Sequence, residues 1–594
     1  MHVRSLSPRA VLIALALAGG SCLGACGDDD AGVAPIDGGT VPRDMNVPIT
    51  PLPEAQRCPG GPNCTGVGGD DVLHVGTARG EITTVIDDTV EILTGDLNGN
   101  GEYDVGETFR DVNGNGRFDG VWMAGFGNGR GATGVHDPQY ASVIALRQND
   151  LTMALVSIDC VGYFKGEMDL IRALVADADV DYVVISATHS HESRDTAGLW
   201  GIETGETGLN PLFMQRVREQ TAAAIRAAVA DLEPANVQYA NFRTRDMEGG
   251  VPRYQGDIRD PIVVDDEVRI MRFLRAGSTT ETIATLVNWA SHPEYSGDSN
   301  TLLSSDFVHA LREGVSNGVD FADDTRDLSG IGGLTTFFQG PLGSQIGPNQ
   351  LDSRRWGQAA DPDAGVAADP TARPVLDEET IEIAQTVGAQ IAWGVLDALQ
   401  PGGRSVTDET ADLAFANRYF YVSVENDAFV VAFNQGIFDR ELFNWDPERV
   451  VTNRNRPQVL SEVAVLDIGR SRLLTFPGEL DPCLFIGGYD GSFTPTGIDI
   501  IDPSNSNPPD LMAAPGAPYL REIAIGSRTG VEYVYALGLT NDFLGYLIPD
   551  FDYKLSESSP YFDEAEGDHY EETNSVGVNG WGTIEDNVRA LLAP

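Results

Sequence analysis

The residue types best able to do chemistry in this chain sit in one short run, Ala187-Thr188-His189-Ser190-His191-Glu192. An apolar β-branched stretch, Tyr182 to Ile185, precedes it and reads as a short buried strand. In extended backbone, residues i and i+2 lie on one face, so His189 and His191 can aim both imidazoles at one point. Imidazole is the commonest protein metal ligand, and two at a strand end make half of a zinc site. The spacing alone also fits two structural histidines held by hydrogen bonds.

A metal needs further ligands, and three more apolar runs end in polar residues. Ile283 to Trp289 ends in Ala290-Ser291-His292, and Arg472 to Phe476 ends in Pro477-Gly478-Glu479. Tyr533 to Leu539 leads through Asn541-Asp542 to Gly545-Tyr546. Each buried strand delivers a polar side chain just past its end, where α/β proteins place their sites. His189, His292, Glu479 and Tyr546 together offer a closed set of nitrogen and oxygen ligands for zinc.

The elements that must hold these ends follow the same logic. Tyr140 to Leu146 and Leu151 to Ile158 read as a hairpin turning at Gln148-Asn149-Asp150. Met168, Ile171, Leu174 and Val175 have helical spacing, and Asn210-Pro211 opens a helix to about Ala230. A second amphipathic helix runs from about Asp377 to Leu399 and stops at Pro401-Gly402-Gly403. Strand, helix and strand in succession predict an α/β fold. Residues 488–530 and 550–580 are polar and rich in Pro, Asp and Ser, and read as loops over the site.

A second motif lies at 95–120. Asp96, Asn98, Asn100, Asp104 and Glu107 stand at positions 1, 3, 5, 9 and 12 of a twelve-residue calcium loop, with Gly101 at position 6 and Glu102 as a further carboxylate. Asp111, Asn113, Asn115, Gly116 and Asp119 repeat the first part, but position 12 is Trp122. The second loop therefore lacks its bidentate acid and could share ligands with the first. A structural calcium ion is the expected role, since a cation offsets the carboxylate repulsion.

Composition narrows the partners. The 594 residues carry 89 acidic against 39 basic side chains, a formal net charge of −50. Nucleic acid, which needs clustered Lys and Arg, is excluded as a partner. At the N-terminus, Arg4 and Arg9 precede an apolar run, Ala10 to Leu17, too short to span a membrane. Leu23-Gly24-Ala25-Cys26 resembles a bacterial lipobox, so residues 1–25 read as a lipoprotein signal peptide and Cys26 as the lipid-modified anchor. That predicts an exported protein tethered to the bacterial cell envelope, at the outer membrane or cell surface, with 26–71 as a flexible linker. In that compartment Cys58 and Cys64 read as a local disulfide, while Cys160 and Cys483 either pair or stay buried as thiols.

Five blocks now stand in a telling order: Thr133-Gly134-Val135-His136; Ala187-Thr188-His189-Ser190-His191; Asn288-Trp289-Ala290-Ser291-His292 with Ser304-Ser305-Asp306; Pro477-Gly478-Glu479; and Asn541-Asp542-Phe543-Leu544-Gly545-Tyr546. On these residues, from roughly 75 to 594, the chain resembles the neutral ceramidase family, zinc-dependent amidases that split ceramide into sphingosine and a fatty acid. The resemblance implies one large α/β catalytic domain over 72–594, with mixed sheets flanked by helices. It implies His189, His292, Glu479 and Tyr546 as zinc ligands and His191 close by as a proton carrier. It implies Tyr570 facing the substrate carbonyl, and it places Arg253 at the family's site arginine. The substrate expected is the N-acyl amide of ceramide or a related lipid. Other readings left open are a hydrolase of another amide or ester on the same fold, and a non-catalytic, calcium-stabilised surface lipoprotein. The chain departs from the family at Gln339 to Asn349, where Gly347 stands in place of a functional serine and Ser344 is the nearest hydroxyl. The family's C-terminal immunoglobulin-like domain is not expected after the Tyr570 block.

Overall fold

The turn at Asn149-Asp150, with Asn149 at φ +54°, folds two apolar runs into an antiparallel hairpin. This hairpin lies next to one edge of a nine-stranded sheet. The structure is a computed structural model that describes residues 49–61, 64, 71–321, 326–347, 380–567 and 569–593. The expected signal peptide, Cys26 and most of the expected linker lie outside the described residues.

In chain order the large sheet contains β1 (His74–Glu81), β2 (Tyr140–Gln148), β3 (Leu151–Ile158), β4 (Tyr182–Ala187), β5 (Glu233–Arg243), β6 (Glu267–Arg275), β7 (Thr282–Trp289), β8 (Leu334–Gln339) and β9 (Val406–Asp408). Its spatial order is β8-β7-β6-β5-β1-β2-β3-β4, with β9 added on β5. A five-stranded sheet holds Arg57–Cys58, β10 (Leu413–Ser423), β11 (Gln458–Ile468), β12 (Ser471–Thr475) and β13 (Tyr533–Leu537), in that order. Three pairs are parallel: β3 with β4, β7 with β8, and β12 with β13. The fold is thus mixed α/β, as expected.

Side-chain alternation shows why the runs are continuously apolar. On β2, Ala141, Val143 and Ala145 face a core under the helices, while Ile144 and Leu146 face the second sheet. On β4, Val183, Ile185 and Ala187 face the helices, and Tyr182 and Val184 the second sheet. From the opposite side Leu466, Leu473, Tyr535 and Leu537 enter the same inter-sheet core. A strand buried on both faces has no polar face to show. Outside the large sheet pack α1 (Lys165–Leu174), α2 (Pro211–Ala230), α3 (Phe307–Asn317) and α4 (Ile381–Ala398). The C-terminal α5 (Gly580–Leu592) covers the small sheet through Trp581, Ile584 and Val588. The layers run helix, sheet, sheet, helix.

Helix α2 starts as its sequence demands: Asn210 Oδ1 accepts from the Phe213 amide at 3.0 Å, with Pro211 in the first turn. β6 is less legible, because Arg269 and Arg272 interrupt its apolar residues. Both guanidiniums are buried and paired in place, Arg269 with Asp265 at 2.9 Å and Arg272 with Thr282 at 2.9 Å. Cys58 and Cys64 are disulfide-bonded, and Cys160 and Cys483 are buried free thiols. Of the stretches 488–530 and 550–580, expected as loops, 488–519 and 553–567 are largely irregular, but Leu520–Gly526 and Tyr570–Thr573 are helical, since Leu520 and Ala524 pack into the core under the small sheet. Among the described residues no helix is long and apolar enough to cross a membrane.

Candidate metal centre

The site forms where strands of both sheets end. Past β4 the chain turns at His189, whose φ of +68° lies in the left-handed region. For a non-glycine residue that conformation costs on the order of 1–3 kcal/mol and persists only when its surroundings enforce it. Here they do: the Thr188 amide donates to Ile158 at 2.9 Å, the His189 amide to Cys160 at 2.9 Å, and His189 Nδ1 to the Val161 carbonyl. His292 is fixed the same way, with both its amide and its Nδ1 donating to the Gln345 carbonyl at 2.9 Å. The His191 amide donates to the Pro293 carbonyl at 3.0 Å, and its Nδ1 lies 3.2 Å from Glu294 Oε2. Each Nδ1 therefore faces a carbonyl or carboxylate oxygen, leaving Nε2 to face the centre, as in metal-binding histidines.

Two residues that sequence reading passed over set the distance between the histidine strands. Gln339, the last residue of β8, donates through Nε2 to the carbonyls of Thr188 and Ser291 at 2.8 Å each. These carbonyls belong to the residues just before His189 and His292. Asn288 Nδ2 donates to Phe338, Gln339 and, across the sheets, Ala536, at 2.9–3.0 Å. Both are fully buried, so the cross-links work in a dry interior. A close approach matters once more at Gly125 (φ +99°), where any side chain would run into the His191 ring.

The donor spacing fits a metal. His189 Nε2 lies 3.4 Å from Glu479 Oε2, His292 Nε2 lies 3.3 Å from the same oxygen, and His191 Nε2 lies 3.3 Å from His189 Nε2. A tetrahedral zinc with bonds of about 2.0–2.1 Å separates its ligand atoms by about 3.3–3.4 Å. The ligand atoms of His189, His191 and His292 all lie within 4.8 Å of one another, and all three residues are buried. This three-histidine group can hold a metal ion.

Charges follow from the packing. Burial pushes the His191 imidazolium down to about pKa 4, against the pull of Glu294. Burial alone would raise the Glu479 carboxyl, but the charges and hydrogen bonds of His189 and His292 outweigh it and hold the group well below the usual carboxylate range. Glu294 is likewise lowered, burial being overcome by its hydrogen bond to His191.

Tyr546 comes to Glu479 by backbone pairing. The two-residue strands Glu479–Leu480 and Tyr546–Leu547 run parallel with Glu479 opposite Tyr546, which sends both side chains off one face. The Tyr546 and Tyr570 hydroxyls meet at 2.8 Å, and burial raises both phenols well above their ordinary range. Tyr570 opens a short helix whose next two residues, Glu571 and Glu572, are gripped by Arg259 at 3.1 and 3.0 Å, with Asp552 as a third carboxylate at 3.1 Å. Arg259 thereby fixes Tyr570, a role the sequence hinted at only through two adjacent buried acids. Arg253 sits on a 3-10 turn and donates to Glu248 at 3.0 Å. His136 pairs with Asp137 at 2.9 Å, a carboxylate that also takes the Ser304 hydroxyl and the Ser305 amide.

No family model matches the sequence, and no curated protein matches it. Solved structures do. A neutral ceramidase from Pseudomonas aeruginosa superposes with a TM-score of 0.52 at 13% identity, over 88% of this chain and 74% of that one. A ceramidase complexed with C2 gives 0.53, also at 13% identity, over 88% and 75%. The chain has the neutral ceramidase fold. At Gly347 a side chain would strike the ring of Tyr295. The Tyr295 hydroxyl is in turn bound to Ser291 Oγ at 2.8 Å and to the Tyr254 carbonyl. Ser344 does not take over an open position, since it is buried and hydrogen-bonded to Asp257.

The insertion at 95–120 folds as two turns of one pattern. In the first, the amides of Gly99 and Gly101 donate to Asp96, and Asn98 and Asn100 converge on Asp104 Oδ2 at 2.8 and 3.2 Å. Glu107 closes the loop on the amides of Leu97 and Asp104.

Proposed function

We propose that the chain is a zinc-dependent amidohydrolase that cleaves the N-acyl amide bond of ceramide or a related N-acyl lipid, giving a fatty acid and an amine. One observation carries this reading: the Nε2 atoms of His189 and His292 close on Glu479 Oε2 at 3.4 and 3.3 Å, with His191 Nε2 3.3 Å from His189 Nε2, beside the Tyr546–Tyr570 pair. The likeness to solved ceramidases supports the substrate class. His189, His292, Glu479 and Tyr546 would hold the zinc, with His191 close by. Bound there, zinc supplies a Lewis acid and lowers the pKa of a water from 15.7 to about 7.

The chain's own residues complete the chemistry. The Tyr570 hydroxyl, fixed by the Arg259 clamp, donates to the acyl oxygen as negative charge develops on it. His191, braced by Glu294, accepts the proton of the attacking water and passes it to the departing amine as the C–N bond breaks. Arg253, anchored by Glu248, is the proposed cation for a polar group of the substrate. In this reading Cys26 carries the lipid that keeps the enzyme at the bacterial envelope, next to its substrate. The first loop of the insertion, Asp96 to Glu107, holds a structural calcium.

The test is fatty-acid release from a panel of N-acyl lipids, ceramide included, by the purified chain before and after zinc removal. Zinc-dependent release is expected. A zinc-loaded protein that releases fatty acid from no acyl amide overturns the proposal.

A further inference from the structure

The second loop of the insertion lacks an acid at its twelfth position, where the sequence has Trp122. The fold brings one from elsewhere. In the first loop, Glu107 Oε1 accepts from the amide at position 2, Leu97, at 2.7 Å, and Oε2 from the amide at position 9, Asp104, at 2.9 Å. In the second loop the same positions are Val112 and Asp119. Their amides donate to Glu91, Val112 to Oε1 at 3.0 Å and Asp119 to Oε2 at 2.8 Å. Glu91 reproduces the Glu107 contacts atom for atom, although it precedes both loops in the chain. A backbone bridge from Glu91 to Gly120 delivers it, and Arg110 pins the preceding turn through Asp88 at 2.9 Å and the Val90 carbonyl. The second loop thus has an acid of its own at the place that Glu107 takes in the first.

We infer that Glu91 is the twelfth-position ligand of the second loop, so that the insertion binds two hard divalent cations of the calcium class. Besides the spacing, charge supports this. The Glu91 and Glu107 side chains are buried, 4% and 7% exposed, and among the described residues no Lys, Arg or His nitrogen lies within ion-pair distance of either. A carboxylate taken out of water without a countercharge is costly, and a divalent cation at each loop centre supplies the countercharge. The loop interior is ready for one: Asn113 and Asn115 converge on Asp119 Oδ2 at 2.8 and 2.7 Å, as Asn98 and Asn100 do on Asp104. Turning each amide about its last bond presents Oδ1 to the same point. Gly101 and Gly116, both at position 6, have φ +75° and +74°, the sharp turn such a loop needs. All-oxygen donors select calcium over zinc, so the two cation types in this chain do not compete.

The test counts bound calcium and needs no substrate, so its outcome is separate from that of the hydrolase proposal. The full-length protein is stripped with chelator, reloaded with zinc, and dialysed to equilibrium against radioactive calcium. Two ions per chain are expected for the unaltered protein. Glu91→Gln and Glu107→Gln should each bind one, and the double variant none. Asp111→Asn, an exposed change, should also leave one ion, and it decides the matter if Glu91→Gln does not fold. One ion or none in the unaltered chain, or two in Glu91→Gln, overturns the inference.

Discussion

At the metal centre the ligands come from strand ends hundreds of residues apart, and each imidazole is oriented by a carbonyl or carboxylate of the surrounding core. At 95–120 the proposed calcium ligands come from every second residue of short loops and are held by one another and by loop amides. The first site is buried among satisfied main-chain groups; the second is mostly exposed, with only its closing glutamates inside. The contrast teaches what each kind of site requires. A rigid frame can place donors before the ion arrives, while a carboxylate loop depends on the ion to offset its own repulsion. The two regions are joined: the Arg130 backbone bridges Glu102, and its guanidinium donates to the carbonyls of Ala124 and His191.

The comparison can be broken first at the frame's own donors. Glu479→Gln should abolish zinc retention and bring hydrolysis to background, while calcium uptake by the insertion is unchanged; metal analysis of one sample reads both. A variant that keeps its zinc would mean that Glu479 is not part of the centre. Tyr570→Phe should leave zinc in place and lower the turnover number about 10²–10³-fold, the cost of losing one oxyanion donor. Equal loss of zinc and activity would instead make Tyr570 structural.

Gln339→Leu tests the frame without touching a ligand. With both cross-links gone, zinc affinity should fall about 10–100-fold, as for other second-shell changes, and calcium affinity should not move. A competition titration against a chromophoric chelator measures this. The smallest effect is expected at Gly347→Ser, which forces a side chain against Tyr295. It should destabilise the fold by about 1–3 kcal/mol in urea unfolding, the usual cost of overpacking. An unaltered midpoint would mean that Tyr295 moves aside freely.

How much of this was legible in the sequence follows from the same contrast. The strand ends bearing His189, His292, Glu479 and Tyr546 were readable, because two-sided burial makes their strands unbroken apolar runs. The paired turns at 95–120 were readable because their hydrogen-bonding partners are local. Helix α2 was placed from Asn210-Pro211 because capping is local chemistry. Gln339, Glu294, Arg259 and Glu91 were not readable as site residues. Each acts on a partner distant in sequence, and nothing in its neighbours marks that role: Gln339 reaches Thr188 and Ser291, and Arg259 reaches Asp552, Glu571 and Glu572. Strand β6 was hidden for a related reason, since Arg269 and Arg272 look solvent-facing until their partners are seen.

The central claim is that the histidine frame holds one zinc with nitrogen and oxygen donors. X-ray absorption at the zinc edge, on protein purified and dialysed without added chelator, tests it most directly. The account predicts one zinc per chain, a first shell of N and O atoms at about 2.0–2.1 Å with imidazole scattering behind it, and no sulfur. A sulfur shell at about 2.3 Å, or a protein that retains no zinc, would contradict it.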